Sequence, residues 1–173
     1  MTISCPMDNY ATDFTSLHTA KIAGKQAPHK AVLLLAIMDL VEAGVITSPK
    51  IVLNENLEDA FGKVWKQYIG SSLIFTPKVA TPFWHMQNEP FYQLRLNSGQ
   101  SVSGMKAQYS VRWLRENSYA TIDRELFELM KEENTRAELR VVLISTYLKG
   151  LHAGVDTVLS ALTLLGLFLN IAA

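Results

Sequence analysis

The chain has 173 residues, 49% of them hydrophobic, and its 16 lysines and arginines balance 16 aspartates and glutamates. That length and apolar share suit one domain with a real core, and a formal charge of zero argues against a uniformly cationic, nucleic-acid-coating surface. Cys5 is the one cysteine, which excludes a disulfide framework and a thiolate metal cage and fits a reducing, cytoplasmic compartment.

Residues 1–8 lack the basic start and apolar run of a secretory signal. Tyr10, Phe14 and Leu17 recur at helical spacing, so an amphipathic helix is expected over 8–19. Lys21 to Ala27 reads as a short basic connection. Pro28 suits the first position of a helix, because its fixed φ fits and its missing N–H would be an orphan there. The apolar run behind it extends to Gly44, a C′ residue. A short strand is expected over 51–53. Asn54 then caps a second helix that turns Leu57, Phe61, Val64, Trp65 and Tyr68 inward and ends at Gly70. Pro77, Pro82 and Pro90 punctuate an aromatic-rich middle, and 91–96 alternates like a half-buried strand. After the polar loop 97–104, helices are expected at 111–116, from Asp123, and from Asn134, where Thr135 and Glu138 form a capping box. The fold class is α+β, mainly helical: one domain over 8–149 with a small antiparallel β element in its middle.

An apolar tail occupies 150–173. Its stretch 155–173 approaches the roughly 20 residues that span a bilayer, but Asp156 and Asn170 interrupt it. Three readings stay open: a helix packing on the domain or a partner, a membrane anchor, which the interruptions disfavour, or a segment foreign to the natural fold.

Catalytic patterns are missing. His18, His29, His85 and His152 stand apart, with no pair at metal-ligand spacing, and no Gly-x-Ser-x-Gly, P-loop or Gly-x-Gly-x-x-Gly occurs. The late acids, from Asp123 to Glu138, alternate with Arg124, Lys131 and Arg136 as a solvated helix face does. No catalytic residue, cofactor or metal is therefore expected.

Charge distribution is more informative than its total. Residues 21–38 carry Lys21, Lys25, His29 and Lys30 without an acid, and 91–115 carry Arg95, Lys106, Arg112 and Arg115 without one. Two such segments meeting in space would make a positive face, and a helix start at Pro28 would add free N–H groups suited to phosphate. Spacing alone favours ordinary surface cations, and for His29 a ring that satisfies a buried carbonyl is as consistent as phosphate contact.

Three blocks carry a resemblance: Ala27-Pro-His-Lys-Ala-Val-Leu-Leu-Leu-Ala36, Thr81-Pro-Phe-Trp-His-Met-Gln-Asn88, and Ile122 to Met130 followed by Arg140 to Leu148. In this order they resemble the sulfur-binding domain of phosphorothioate-dependent, HNH-type restriction endonucleases. The resemblance implies recognition of double-stranded DNA whose backbone carries sulfur for one non-bridging oxygen, as part of bacterial restriction. It makes Pro82 the pocket wall, with Thr81, Phe83 and His85 beside it, and places His29 and Lys30 on the DNA backbone; Lys106, Arg112 and Arg115 follow as further backbone contacts. The family's aromatic before the pocket proline is Thr81 here, and the proline after Lys30 is Ala31. The resemblance also implies an HNH nuclease domain or subunit as partner. No HNH motif is present, so this chain is not expected to cut DNA alone. The alternative function is an interaction protein whose apolar tail docks a partner or membrane; a cryptic nuclease using the scattered acids is a third, weaker reading.

Overall fold

At the centre of the molecule lies α2, His29–Glu42, whose residues from Ala31 to Met38 have no exposed surface. The computed structural model describes residues 6–151; the apolar stretch 155–173, with its three readings, lies outside them. An all-apolar helix is stable only when surrounded, and α2 is. Against it pack α3 (Glu55–Tyr68), α4 (Ala80–His85), α6 (Arg124–Lys131) and α7 (Glu133–Leu143), the last continued by a π-turn over Ile144–Leu148. The remaining helices are α1 (Pro6–Thr15) and α5 (Val111–Asn117). Pro28 is the residue before α2 rather than its first, and its carbonyl takes the N–H of Val32 at 3.0 Å. Gly44, at φ +69°, closes the helix by donating to the Val41 carbonyl.

Two antiparallel sheets accompany the helices. The strands β1 (Lys21–Ile22) and β2 (Lys25–Gln26) make a small exposed hairpin, turned at Ala23 and Gly24 with φ of 50° and 76°. The strands β3 (Lys50–Ile51), β4 (Tyr92–Leu96) and β5 (Ser118–Ile122) form the other sheet, with β5 in its centre. Tyr92 faces Ile122, and Leu94 and Ile51 both face Ala120, so the apolar side of the sheet enters the core.

The mainly helical α+β class with a small antiparallel element is as expected. Four further local expectations are corrected. The first helix ends at Thr15, where Thr15 and Ser16 hydroxyls take the last carbonyls of Thr12 and Asp13. The basic connection is the β1–β2 hairpin. The proline-punctuated middle contains α4 and a 3-10 turn, Met86–Asn88. The capping box at Thr135 is absent: Glu132 caps α7 by accepting from the Thr135 N–H at 2.8 Å, and the Thr135 hydroxyl donates to the Leu129 carbonyl at 2.5 Å.

Candidate nucleic-acid interface

Three segments distant in sequence meet around one pocket of about 260 Å³. His18, Thr19 and Ala20 come from the lead into β1, Ala27, His29 and Lys30 from the start of α2, and Thr81, Pro82, His85 and Asn88 from α4 and the turn after it. The hairpin closes the first gap, because the Ala27 N–H donates to the Ala20 carbonyl at 2.8 Å. Pro82 costs α4 nothing: it stands in the first turn, where its absent N–H would have had no helical partner. Phe83 and Trp84 then anchor α4. The Phe83 ring, with no exposed surface, meets Tyr92 edge-on at 6.2 Å, and the Tyr92 hydroxyl donates to the Phe83 carbonyl at 3.1 Å. With those two side chains inward, Thr81, Pro82 and His85 face the pocket and give it, with Ala20 and Ala27, a largely apolar lining. Thr19 Oγ1 is buried with no hydrogen-bond partner among the described residues, which leaves a donor in the wall.

The polar ends at the helix start are already engaged. His29 Nε2 lies 2.8 Å from the Thr76 carbonyl, an acceptor, so this nitrogen carries the proton. Its ring sits 4.9 Å from Trp65 and 6.0 Å from Phe75. Burial lowers its pKa below the usual 6.5, against the opposing pull of the Thr76 hydrogen bond, so the ring is neutral. Lys30 is only 5% exposed, and its ammonium pairs with Glu89, itself 3% exposed. Glu89 also accepts from the His18 N–H at 3.0 Å and stands 3.2 Å from His18 Nδ1. Behind the pocket wall, therefore, a buried cation and a buried anion cancel.

The other expected residues divide. Phe83 belongs to the core and not to the pocket, because α4 turns it inward. His85 Nε2 contacts the Tyr109 hydroxyl at 2.9 Å, and burial, followed by the Lys30 charge, lowers its pKa. That contact ties the loop bearing exposed Lys106 to the pocket rim. Arg112 pairs with Glu116 at 3.0 Å. Arg115 is bound to Glu58 and stands 3.7 Å from Glu55, beside the start of α3 in a separate groove. The structure thus unites His29, Lys30, Thr81, Pro82 and His85, leaves Lys106 near them, and gives both arginines carboxylate partners.

The sequence reading missed His18, Thr19, Ala20 and Asn88 as lining residues, and Lys78, two positions before α4, as an exposed cation. Asn88 closes the quoted block 81–88 and was legible there; the others belong to no motif and arrive by tertiary contact. Lys21, Lys25, Lys78 and Lys106 are exposed, and none pairs with a described carboxylate. Among the described residues, no group of three or more His, Cys, Asp or Glu is placed to hold a metal ion, and no helix is long and apolar enough to cross a membrane.

Fold and site together define a small, mainly helical domain with a largely apolar pocket at the start of α2. A family model described as "ScoMcrA-like, DNA sulfur-binding domain" matches residues 8–166, and this chain belongs to that family. The match runs past Lys149, where the sequence reading ended the domain. Two solved structures share the fold. The sulfur-binding domain of ScoMcrA, complexed with phosphorothioated DNA, aligns at 18% identity and TM-score 0.62, over 84% of this chain and 91% of that one. The sulfur-binding domain of SprMcrA, also complexed with phosphorothioated DNA, aligns at 15% and 0.60, over 87% and 90%. No curated protein sequence matches.

Proposed function

We propose that this chain recognises duplex DNA carrying a phosphorothioate linkage, with the Pro82 pocket receiving the sulfur. The observation that carries the reading is a largely apolar pocket at the start of α2 in a member of the DNA sulfur-binding family. Sulfur is larger, more polarisable and more weakly hydrated than oxygen. An apolar wall therefore penalises an ordinary phosphate oxygen more than it penalises sulfur, because the oxygen gives up stronger hydration. Pro82 and Thr81 supply that wall, and His85, neutral at pH 7 and held by Tyr109, closes one side. Lys106, with Lys21, Lys25 and Lys78, grips neighbouring phosphates and supplies the sequence-independent part of the affinity. His29 contributes its ring edge and the N-terminal turn of α2. Arg112 and Arg115 reach DNA only by releasing their carboxylates, so they are secondary contacts. Cleavage, where it follows recognition, is the work of an HNH nuclease domain or a separate nuclease subunit.

The test is a fluorescence-anisotropy titration of a short duplex, with and without one Rp phosphorothioate, at two salt concentrations. Wild-type protein is expected to prefer the sulfur-bearing duplex and to weaken steeply with salt. Pro82→Ala removes about two buried methylenes, so it should lower that preference roughly tenfold while leaving plain-duplex binding nearly unchanged. Equal affinity of wild-type protein for the two duplexes would defeat the reading.

A further inference from the structure

Lys30 stands at the position that the family resemblance assigns to the DNA backbone, yet its ammonium is turned into the protein. Glu89 follows the pocket residue Asn88 directly and lies behind the wall that Lys30 and His18 form. Its two oxygens take the Lys30 ammonium, the His18 N–H and the approach of His18 Nδ1. Glu89 and Asp123 also both help raise the Asp13 carboxyl above its ordinary value, after burial. Lys30 therefore directs its ammonium to a buried carboxylate and not to the pocket.

We propose that Glu89 is a specificity-determining residue, which sequesters the Lys30 ammonium so that the pocket offers no charged donor to an ordinary phosphate oxygen. This rests on the sulfur-pocket reading above. An ammonium is a compact, strongly hydrated charge that favours small, hard acceptors. Free in the pocket, it would reward oxygen over sulfur and erase what the apolar wall achieves. Paired with Glu89, it fills the wall with its methylene stem and turns its hydrogen bond inward, although its charge is still felt at His85. Glu89 touches neither strand of the DNA; it sets what Lys30 presents.

Two variants test this on the same pair of duplexes. Glu89→Gln keeps an acceptor for the His18 N–H but frees the Lys30 charge. Binding of the plain duplex should then tighten about tenfold, sulfur preference should shrink, and the slope of log affinity against log salt should steepen by about 0.9, one further phosphate neutralised. The double variant Lys30→Met, Glu89→Gln removes both charges. It should lack the tightened plain-duplex binding and the steeper salt slope of Glu89→Gln, because no charge is freed. Unchanged affinities and slope for a folded Glu89→Gln would overturn the proposal. So would a loss of tenfold or more in phosphorothioate binding by the double variant, because Lys30 would then be a direct contact. If thermal melting shows Glu89→Gln unfolded, the double variant decides alone, by keeping or losing the preference. A wild type without sulfur preference would sink the reading above instead, while the plain-duplex affinity and salt slope of Glu89→Gln would still report on the sequestered charge.

Discussion

His29 and His85 are both held below the ordinary histidine value of 6.5, in each case chiefly by burial. Below pH 6.5 the unfolded chain therefore binds more protons than the folded one. Their contribution to stability is complete above that pH and is lost as the pH falls through 6.5 toward the lowered folded values. Thermal melts at about pH 7.5 and about pH 5.5 should show the fall, and His29→Gln should flatten part of it. Lys30 has the opposite character: it is charged, buried and compensated. Lys30→Ala leaves Glu89 unpaired in the interior and should cost about 3–5 kcal/mol in urea unfolding, whatever its effect on DNA. A drop in binding by that variant, measured without a stability control, would be misread as a lost phosphate contact.

At the scale of elements, α4 is the part on which the pocket depends most. Six residues hold a helix poorly by themselves, and this one is fixed by Phe83 and Trp84 in the core and by the Tyr92 hydroxyl on the Phe83 carbonyl. Tyr92→Phe leaves that buried carbonyl without its donor and should cost about 1–2 kcal/mol. Because Pro82 rides on the same short helix, sulfur preference should fall as well. Asn54→Ala makes the contrast. The Asn54 side chain accepts from the Leu57 N–H at 3.1 Å and caps α3, so its loss should cost about 1 kcal/mol. The cap lies outside the pocket lining, and the ratio of affinities for the two duplexes should stay put. A changed ratio in Asn54→Ala would show that α3 and the pocket are coupled.

Across the whole molecule, neutrality conceals a separation of charge. Arg136 and Arg140 bind Glu42, and Arg140 also binds Asp39 at 2.5 Å, on the side where α7 crosses the end of α2. Arg115 serves Glu58 and Glu55. These acids neutralise their own neighbours and leave Lys21, Lys25, Lys78 and Lys106 to the solvent. A balanced total thus says little about the field a ligand meets, which depends on the pairs that folding makes.

The sequence by itself determined the elements that are written as long apolar periods with local punctuation. Ala31 to Met38 could only be a surrounded helix, Asn54 and Gly70 bounded the next one, and alternation over 91–96 announced a strand. In each, the signal lies within a few residues of the structure it specifies. The blocks 27–36 and 81–88 likewise carried the family and put His29, Lys30, Thr81, Pro82 and His85 forward together. Tertiary structure decided the rest. The hairpin β1–β2 is exposed on every residue and has no alternation to read. The helix α4 begins among prolines and holds because its aromatics find Tyr92 and Trp113. The short strand β5 becomes the centre of a sheet only when β3 and β4 arrive on its two sides. Above all, nothing near Lys30 in sequence reveals that Glu89 waits for it. A buried charge requires a partner, but which residue supplies it is settled by where the chain returns, and that return gives Lys30 a buried carboxylate.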